Sequence, residues 1–269
     1  MGRLLSALSR VALALARRDI REPVSFFMVL RWVEPFFNVT IGYYLARLVH
    51  DNRGIVGGDY FTFALIGIAF TQFIWLGYNA FGEQLLQASR QGTLAAIWMT
   101  PTPWLWIAGL TAMRVFAIAA GSVALTLMLG ARLCHAPLVV RAPGGVMVVM
   151  LLTGLTMGGL GLCSAALALA FRRNDPVRAL LTRLFVVFGG VFVPVALFPA
   201  WVQAVAYSFP FTHSLAALRV LLTGGGWGEM RPALTALALM TAVWLPLGVW
   251  AIGWALERMR RTGALVLAQ

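Results

Sequence analysis

Apolar residues along the chain come in long runs that alternate with short polar segments. Each run is about 20 residues or longer, which is enough for a helix to cross a hydrocarbon layer about 30 Å thick. The six runs cover residues 24–46, 60–82, 103–129, 145–170, 178–198 and 233–256. This pattern predicts an all-α polytopic membrane protein with six transmembrane helices.

A further apolar stretch, residues 199–222, is broken by Pro199 and Pro210. A proline inside a helix removes one backbone hydrogen bond and clashes with the preceding turn. The length would allow a seventh span, but two prolines eleven positions apart favour two short helices that fold back into one leaflet. We therefore predict a re-entrant helical hairpin before the last span, on the outer side of the membrane.

The first 23 residues form an apolar run that arginine interrupts about every seven positions. On a helix, these arginines fall within about 40° of one another and face away from the leucines. They are Arg3, Arg10, Arg17 and Arg21. The pattern predicts an amphipathic helix over residues 1–23 that lies in the cytoplasmic interface, followed by a six-span transmembrane domain over residues 24–269.

Composition agrees with a membrane protein, because 61% of the residues are hydrophobic and only 11% are charged. All 21 basic residues are arginine and the formal net charge is +12, with 13 arginines on one side of the predicted spans and 6, including Arg219, on the other. The positive-inside rule places both termini in the cytoplasm. We expect the arginines to contact lipid headgroups rather than nucleic acid, in a bacterial inner (plasma) membrane.

Several kinds of chemistry have no residues to support them. The sequence contains no lysine, and a phosphate-binding loop requires one to reach the β and γ phosphates of ATP. Its three histidines, His50, His135 and His213, lie in outward segments, and its two cysteines have no metal or redox spacing. We expect no catalytic residue, no metal and no cofactor in this chain, so any ATP must be hydrolysed by another polypeptide.

Three ionisable residues fall inside the predicted spans: Arg31, Glu34 and Arg114. Glu34 and Arg114 lie at similar depth, about 15 Å from the cytoplasmic ends of their helices at 1.5 Å per residue, so they could pair across two helices. The alternative is a local contact between Arg31 and Glu34, three positions apart, with Arg114 facing a polar cavity or reaching the interface. The sequence leaves both arrangements open.

The connection between the second and third predicted spans, residues 83–102, is long and has its own pattern. Its polar residues recur at helical spacing and include Glu83, Gln87 and Arg90, while Gly92 permits a break and proline ends the segment before the next span. This pattern predicts a short amphipathic helix at the cytoplasmic surface. We expect it to bind a partner.

The second cytoplasmic connection reads FRRNDPVR. Its Asp175 can cap a helix that begins at Pro176. The arginines around it set the topology and also make a partner contact here possible.

These pieces together resemble the membrane subunit of type-2 ATP-binding-cassette (ABC) exporters over nearly the whole chain. That family has an N-terminal interfacial helix, six spans, a first cytoplasmic loop with a Gly-Thr-Leu and then a Thr-Pro pattern, and a proline-broken hairpin before the last span. The matching residues are Gly92, Thr93, Leu94, Thr100, Pro101, Pro194, Pro199, Trp201, Pro210, His213 and Arg219.

The resemblance implies a permease that forms half of a translocation path and pairs with a second copy or a sibling. Two cytoplasmic ATPase subunits would bind ATP and Mg and contact the coupling loop at residues 83–102. The substrate would be amphipathic or lipid-linked: a glycolipid, a polysaccharide carrier or a drug. An ion-coupled secondary transporter and a membrane scaffold remain as alternatives.

Overall fold

The computed structural model describes residues 26–49, 60–90, 104–171, 184 and 188–261. These residues contain seven α-helices and one 3-10 helix, and no β-strand. The α-helices are α1 (Phe26–Val49), α2 (Tyr60–Arg90), α3 (Trp104–Leu133), α4 (Pro143–Phe171), α5 (Ala200–Tyr207), α6 (Pro210–Leu222) and α7 (Trp227–Arg261), and the 3-10 helix is Val195–Leu197. The predicted all-α class is confirmed.

Four described helices are long and apolar enough to cross a membrane. The qualifying segments are Tyr60–Tyr78, Ala112–Leu133, Pro143–Ala170 and Trp227–Arg258, and the bent pair formed by α5 and α6 would make a fifth. The 24-residue helix α1, which contains Pro35, is not among them. The predicted count of six spans therefore stays a prediction.

Two sequence predictions concern segments that the structure describes only in part or not at all. The interfacial helix over residues 1–23 lies outside them. Of the predicted fifth span, residues 184 and 188 are helical, but residues 189–198 form a turn, a bend and the 3-10 helix instead of the end of a span. The chain leaves helical geometry at two successive glycines, and Gly190 has a φ of 77°, which a glycine adopts at no steric cost.

Helices α2, α4 and α7 run parallel and begin at the same end of the molecule. Near the start of α4, Gly145 approaches Leu221 of α6 and Met230 of α7, while further along Gly159 approaches the backbone of Trp244 on α7. Because α6 also contacts the first turns of α2, all three helices begin around it. We call this end of the bundle, which holds α5, α6 and the α3–α4 connection, the hairpin end.

Helix α3 runs antiparallel to α2. Gly130, near the end of α3, approaches Leu65 near the start of α2, whereas Phe116 contacts Gly77 further along α2. Gly154 of α4 also lies against the Phe116 ring, so its lack of a side chain admits the ring. Gly154 thus lies at a close helix contact, as small residues in membrane helices often do.

Helices α4 and α7 pack with their backbones in close contact. A methyl group at Gly159 would lie 2.5 Å from the Trp244 carbonyl oxygen, and one at Gly248 would collide with the Gly159 backbone. Between these helices the buried hydroxyls of Thr156 and Thr241 share a hydrogen bond of 2.6 Å. Backbones that approach this closely gain dispersion contacts in a lipid environment, where the hydrophobic effect does not drive helices together.

The close approach at Gly248 generates a first prediction. Replacing Gly248→Leu should lower the free energy of unfolding by about 1–3 kcal/mol, because the side chain must displace the backbone of α4. Gly253→Leu is the matched control on the same helix, since a side chain there meets open space. Thermal unfolding in detergent should separate the two variants, and equal melting temperatures would contradict the packing.

Candidate functional site

The proline-rich segment before α7 forms two short helices with a sharp bend between them, and we call this pair the hairpin. Helices α5 and α6 meet at an angle of 88° across a short break. Pro194 precedes the 3-10 helix, Pro199 precedes α5, and Pro210 is the first residue of α6. Proline suits a helix start, because its missing N–H would have no partner there. The structure thus brings the predicted hairpin prolines together, each at the start of a helix.

At the break between α5 and α6, side chains donate hydrogen bonds to backbone carbonyls that have no donor within their own helix. Thr212 Oγ1 donates to Ala206 O at 2.6 Å, and His213 Nε2 donates to Tyr207 O at 2.9 Å. Both acceptors lie at the end of α5, where carbonyls have no intrahelical donor. The predicted hairpin residue His213 therefore closes the corner between the two helices.

Gln203 makes a similar connection to the segment that precedes α5. Its Nε2 donates to Phe198 O at 2.8 Å and to Ala196 O at 3.1 Å. Because these carbonyls belong to the 3-10 helix and its exit, the side chain fixes this segment against the first helix of the hairpin.

Arg219 connects the hairpin to the rest of the bundle. Its Nη1 donates to Gly190 O at 2.8 Å, and its Nη2 donates to Val191 O at 2.9 Å and to Phe63 O at 3.2 Å. The guanidinium carbon lies 3.4 Å from the centroid of the Phe63 ring, a cation–π arrangement. One side chain on α6 thus holds the residues before the hairpin and the first turn of α2.

Two neighbours complete this arrangement. Tyr60 donates its hydroxyl to Phe192 O at 3.0 Å. A methyl group at Gly67 would lie 2.5 Å from Val191 O and 3.0 Å from Nη2 of Arg219, so only glycine admits this approach. We call the set formed by Tyr60, Phe63, Gly67, Gly190, Val191 and Arg219 the arginine clamp.

The other end of α6 is attached to the α3–α4 connection. Val139 N donates to Leu222 O at 2.9 Å, and Val139 pairs with Thr223 in an isolated parallel bridge. The outer face of α5, by contrast, is exposed and apolar, with Trp201 70% exposed. The hairpin is therefore fixed on its inner side and open on its outer side.

The intramembrane polar residues are only partly described. Glu34 on α1 and Arg114 on α3 both have exposed side chains, and α1 packs against α3. Arg31 lies on α1, but its side chain is outside the described part. The pairing of Glu34 with Arg114 stays a prediction.

The predicted coupling residues fall at the far end of α2. Residues 83–90 are a direct continuation of α2, not the separate short helix that the sequence suggested, and this stretch contains good helix formers without a glycine or proline after residue 82. Glu83, Gln87 and Arg90 lie on these last turns, with side chains outside the described part. The remaining coupling residues lie outside the described residues: Gly92, Thr93, Thr100, Pro101 and Asp175.

The residues that the structure describes offer no metal site, since they contain no group of three His, Cys, Asp or Glu side chains that could hold an ion. Burial raises the pKa of the Cys134 thiol, which follows α3 directly. A raised thiol pKa lowers the thiolate fraction at neutral pH, so this cysteine is a weak nucleophile.

Sequence reasoning found Arg219 but not its role. We grouped it with the arginines of the outer segments, whereas it lies within α6, half-buried, with its Nε enclosed and without a partner in the described structure. Its hydrogen-bond partners Val191, Gly190 and Phe63 lie 28, 29 and 156 positions away in sequence, beyond any local pattern. The one available signal was the Gly189–Gly190 pair, which interrupts an apolar run.

A family model described as ABC-2 type transporter matches residues 14–223. The chain belongs to the ABC-2 type transporter family. The match covers more than half of the sequence and includes the arginine clamp and the whole hairpin, and it confirms the resemblance noted from the sequence. Comparison with curated proteins gives no match.

Membership makes the chain the transmembrane permease component of an ABC transporter and a partner of ATP-binding-cassette subunits, not the ATPase itself. It is an integral membrane protein, consistent with its long apolar helices. The arginine clamp and the hairpin are therefore features of an ABC-2 permease.

The clamp generates a second prediction. Replacing Arg219→Met in the permease leaves the carbonyls of Gly190 and Val191 without this donor, so the free energy of unfolding should fall by about 3 kcal/mol, and Arg219→Lys should lose less. A spin label at Trp201→Cys should also become more mobile, because the hairpin loses its attachment to α2. Arg231→Met is the control, an exposed arginine in the first turns of α7.

Thermal unfolding and the label's spectrum check this result. If Arg219→Met unfolds too readily to purify, Arg219→Lys tests the same attachment more gently, because it keeps the positive charge and some of the donors. Identical behaviour of the Arg219 and Arg231 variants would show that the clamp does not hold the hairpin.

Proposed function

We propose that this chain forms half of the translocation path of an ATP-driven exporter. It pairs with a second permease copy or a sibling, and separate cytoplasmic subunits bind ATP and Mg and hydrolyse the nucleotide. The substrate is amphipathic or lipid-linked: a glycolipid, a polysaccharide or a drug. The complex lies in a bacterial inner (plasma) membrane, with both termini of the chain in the cytoplasm.

The length of α2 is the observation that carries this proposal. Its membrane-crossing segment is Tyr60–Tyr78, yet the helix continues to Arg90. These last 12 residues extend about 18 Å beyond Tyr78 at 1.5 Å per residue. A polar helical extension of this length, at the end opposite the hairpin, supports contact with an ATPase subunit.

Exposed apolar side chains support a partner within the membrane. Helix α1 leaves large apolar groups uncovered along one side, and so does the outer face of the hairpin. They include Phe36, Phe37, Tyr44, Trp201 and Tyr207. Contact with a second permease or with an amphipathic substrate would cover these surfaces, as lipid alone also can.

The coupling proposal predicts a separation of two activities. In the purified complex, Glu83→Ala combined with Arg90→Ala should reduce substrate-stimulated ATP hydrolysis by about tenfold, because charged contacts at a subunit interface contribute to this extent. The permease itself should keep its melting temperature. Arg47→Ala, on the last turn of α1, is the control, since it lies at the hairpin end.

The partner is identified by gentle solubilisation of the tagged protein and mass spectrometry of what stays bound. A stoichiometric subunit that carries a phosphate-binding lysine motif supports the exporter. Transport by the purified chain alone, driven by an ion gradient and abolished by Glu34→Gln, would contradict it and favour the ion-coupled alternative.

The proposed orientation predicts where cysteines react. In a Cys163→Ala background, a membrane-impermeant maleimide should label Cys134 in intact cells, because the α3–α4 connection faces outward. Labelling should accelerate as the pH rises, since burial raises the pKa of this thiol and the thiolate is the reactive form. A second variant carries Arg261→Cys at the other end of α7, with Cys134 replaced by serine. Its single cysteine should react only after the membrane is permeabilised. The reverse labelling pattern would show that the chain has the opposite orientation in the membrane and would contradict the proposal.

A further inference from the structure

An apolar cavity lies between α3 and α4 at the hairpin end. Its volume is about 460 Å³, which falls within the range of about 300–1,000 Å³ that is typical of small-molecule sites. Helix α3 contributes one stripe of side chains to it, from Ala120 to Ala131, and helix α4 contributes another, from Pro143 to Met150. All of its lining residues are apolar, so a ligand there gains no hydrogen bond from a side chain.

The cavity has a buried floor and an exposed mouth. Val123 and Leu222 are each 3% exposed, whereas Met128 and Met147, on the two walls, are 58% and 73% exposed. Since α3 and α4 are both long and apolar enough to cross a membrane, an exposed apolar mouth between them suits contact with the hydrocarbon of the bilayer. An apolar chain can therefore enter from the bilayer without crossing water.

Two arginines lie where the cavity meets the end of the bundle. Arg132 is one helical turn beyond Met128 on the same face of α3, and its side chain is exposed. Arg141 is also exposed, and it stands in the connection between the lining residues Val140 and Pro143. An apolar cavity with a cationic rim at the helix ends matches a molecule with an apolar chain and an anionic head.

We propose that this cavity binds one acyl chain of an anionic phospholipid from the surrounding bilayer, with the lipid phosphate beside Arg132 and Arg141. The lining stripe on α3 from Ala120 to Ala131 spans about 16 Å at 1.5 Å per residue, a length that suits an extended acyl chain. This lipid is a bound component of the permease and not its cargo. The site requires only that the helices lie in a bilayer, so it does not rest on the proposed export function.

The bound chain would contact the hairpin. Leu222, on the cavity floor, is the last residue of α6, and its carbonyl accepts the hydrogen bond from Val139 N. Leu138 and Val140, on either side of Val139, also line the cavity. A chain in the cavity therefore packs against both sides of the contact that joins the α3–α4 connection to the hairpin.

The test is photochemical crosslinking of the full chain in nanodiscs of phosphatidylcholine. The probe is phosphatidylglycerol with a diazirine on one acyl chain, and labelled peptides are mapped by mass spectrometry. Labelling should concentrate on residues 124–131 and 143–150. Ala124→Trp, which fills the cavity, should reduce labelling of these segments by about fivefold or more. Leu239→Trp, on the exposed face of α7, is the matched control.

The headgroup contact is tested with the same probe. Arg132→Gln and Arg141→Gln should each reduce labelling by about fivefold, and Arg47→Gln should not. A diazirine phosphatidylcholine probe should label the cavity less than the phosphatidylglycerol probe does. Equal labelling by the two probes would overturn the role of the arginines.

Two further outcomes would overturn the acyl-chain site itself. Labelling spread evenly over the exposed faces of α1 and α7 would show that the probe reports only the surrounding lipid and not a bound one. Crosslinks from the cavity to another copy of the chain would show that a protein, not a lipid, occupies it. If Ala124→Trp lowers the melting temperature, Met147→Trp fills the cavity from the opposite, more exposed wall and must give the same loss of labelling.

Discussion

The hairpin depends on one constraint, which is that backbone carbonyls in an apolar environment need donors. Where the chain leaves helical geometry at residues 189–194, a helix can no longer supply them. A buried carbonyl without a partner costs about 1–3 kcal/mol. The guanidinium of Arg219 carries five N–H donors in a rigid plane, so it can serve Gly190, Val191 and Phe63 at once. The ammonium of a lysine is a compact point charge without this planar fork.

The same constraint explains why the hairpin is attached at several points. Thr212 and His213 supply donors to the end of α5, and Gln203 supplies donors to the segment before it. Each of these bonds is local, within seven residues along the chain. Arg219 instead reaches α2, because it lies on the face of α6 that packs against that helix. Local bonds therefore shape the hairpin, whereas the clamp fixes its position in the bundle.

Sequence patterns predicted the break between the two short helices, because proline acts locally, whereas their re-entrant placement in the outer leaflet stays a prediction. Pro199 and Pro210 had to stand at or near helix starts, and they do. The role of Arg219 could not be predicted, because burial of an arginine depends on carbonyls that only tertiary packing brings near. The end of α2 shows the opposite error, since the polar pattern from Glu83 suggested a new helix. A change from an apolar to a polar surface does not interrupt helical geometry when no glycine or proline intervenes.

Helix α2 joins the two ends of the molecule, and this connection bears on coupling in the proposed exporter. Its first turns hold the arginine clamp, its middle packs against α3 and α4, and its polar end extends beyond the membrane-crossing segment. No proline interrupts α2, so a displacement of one end along the axis is passed toward the other end rather than absorbed at a kink. A push by an ATPase subunit on the polar end would therefore move the clamp and the hairpin together. Helix α4 packs backbone to backbone on both neighbours, through Gly161 against Tyr78 of α2 and through Gly159 against Trp244 of α7. A displacement of α2 would therefore be passed on to α4 and α7 as well as to the hairpin.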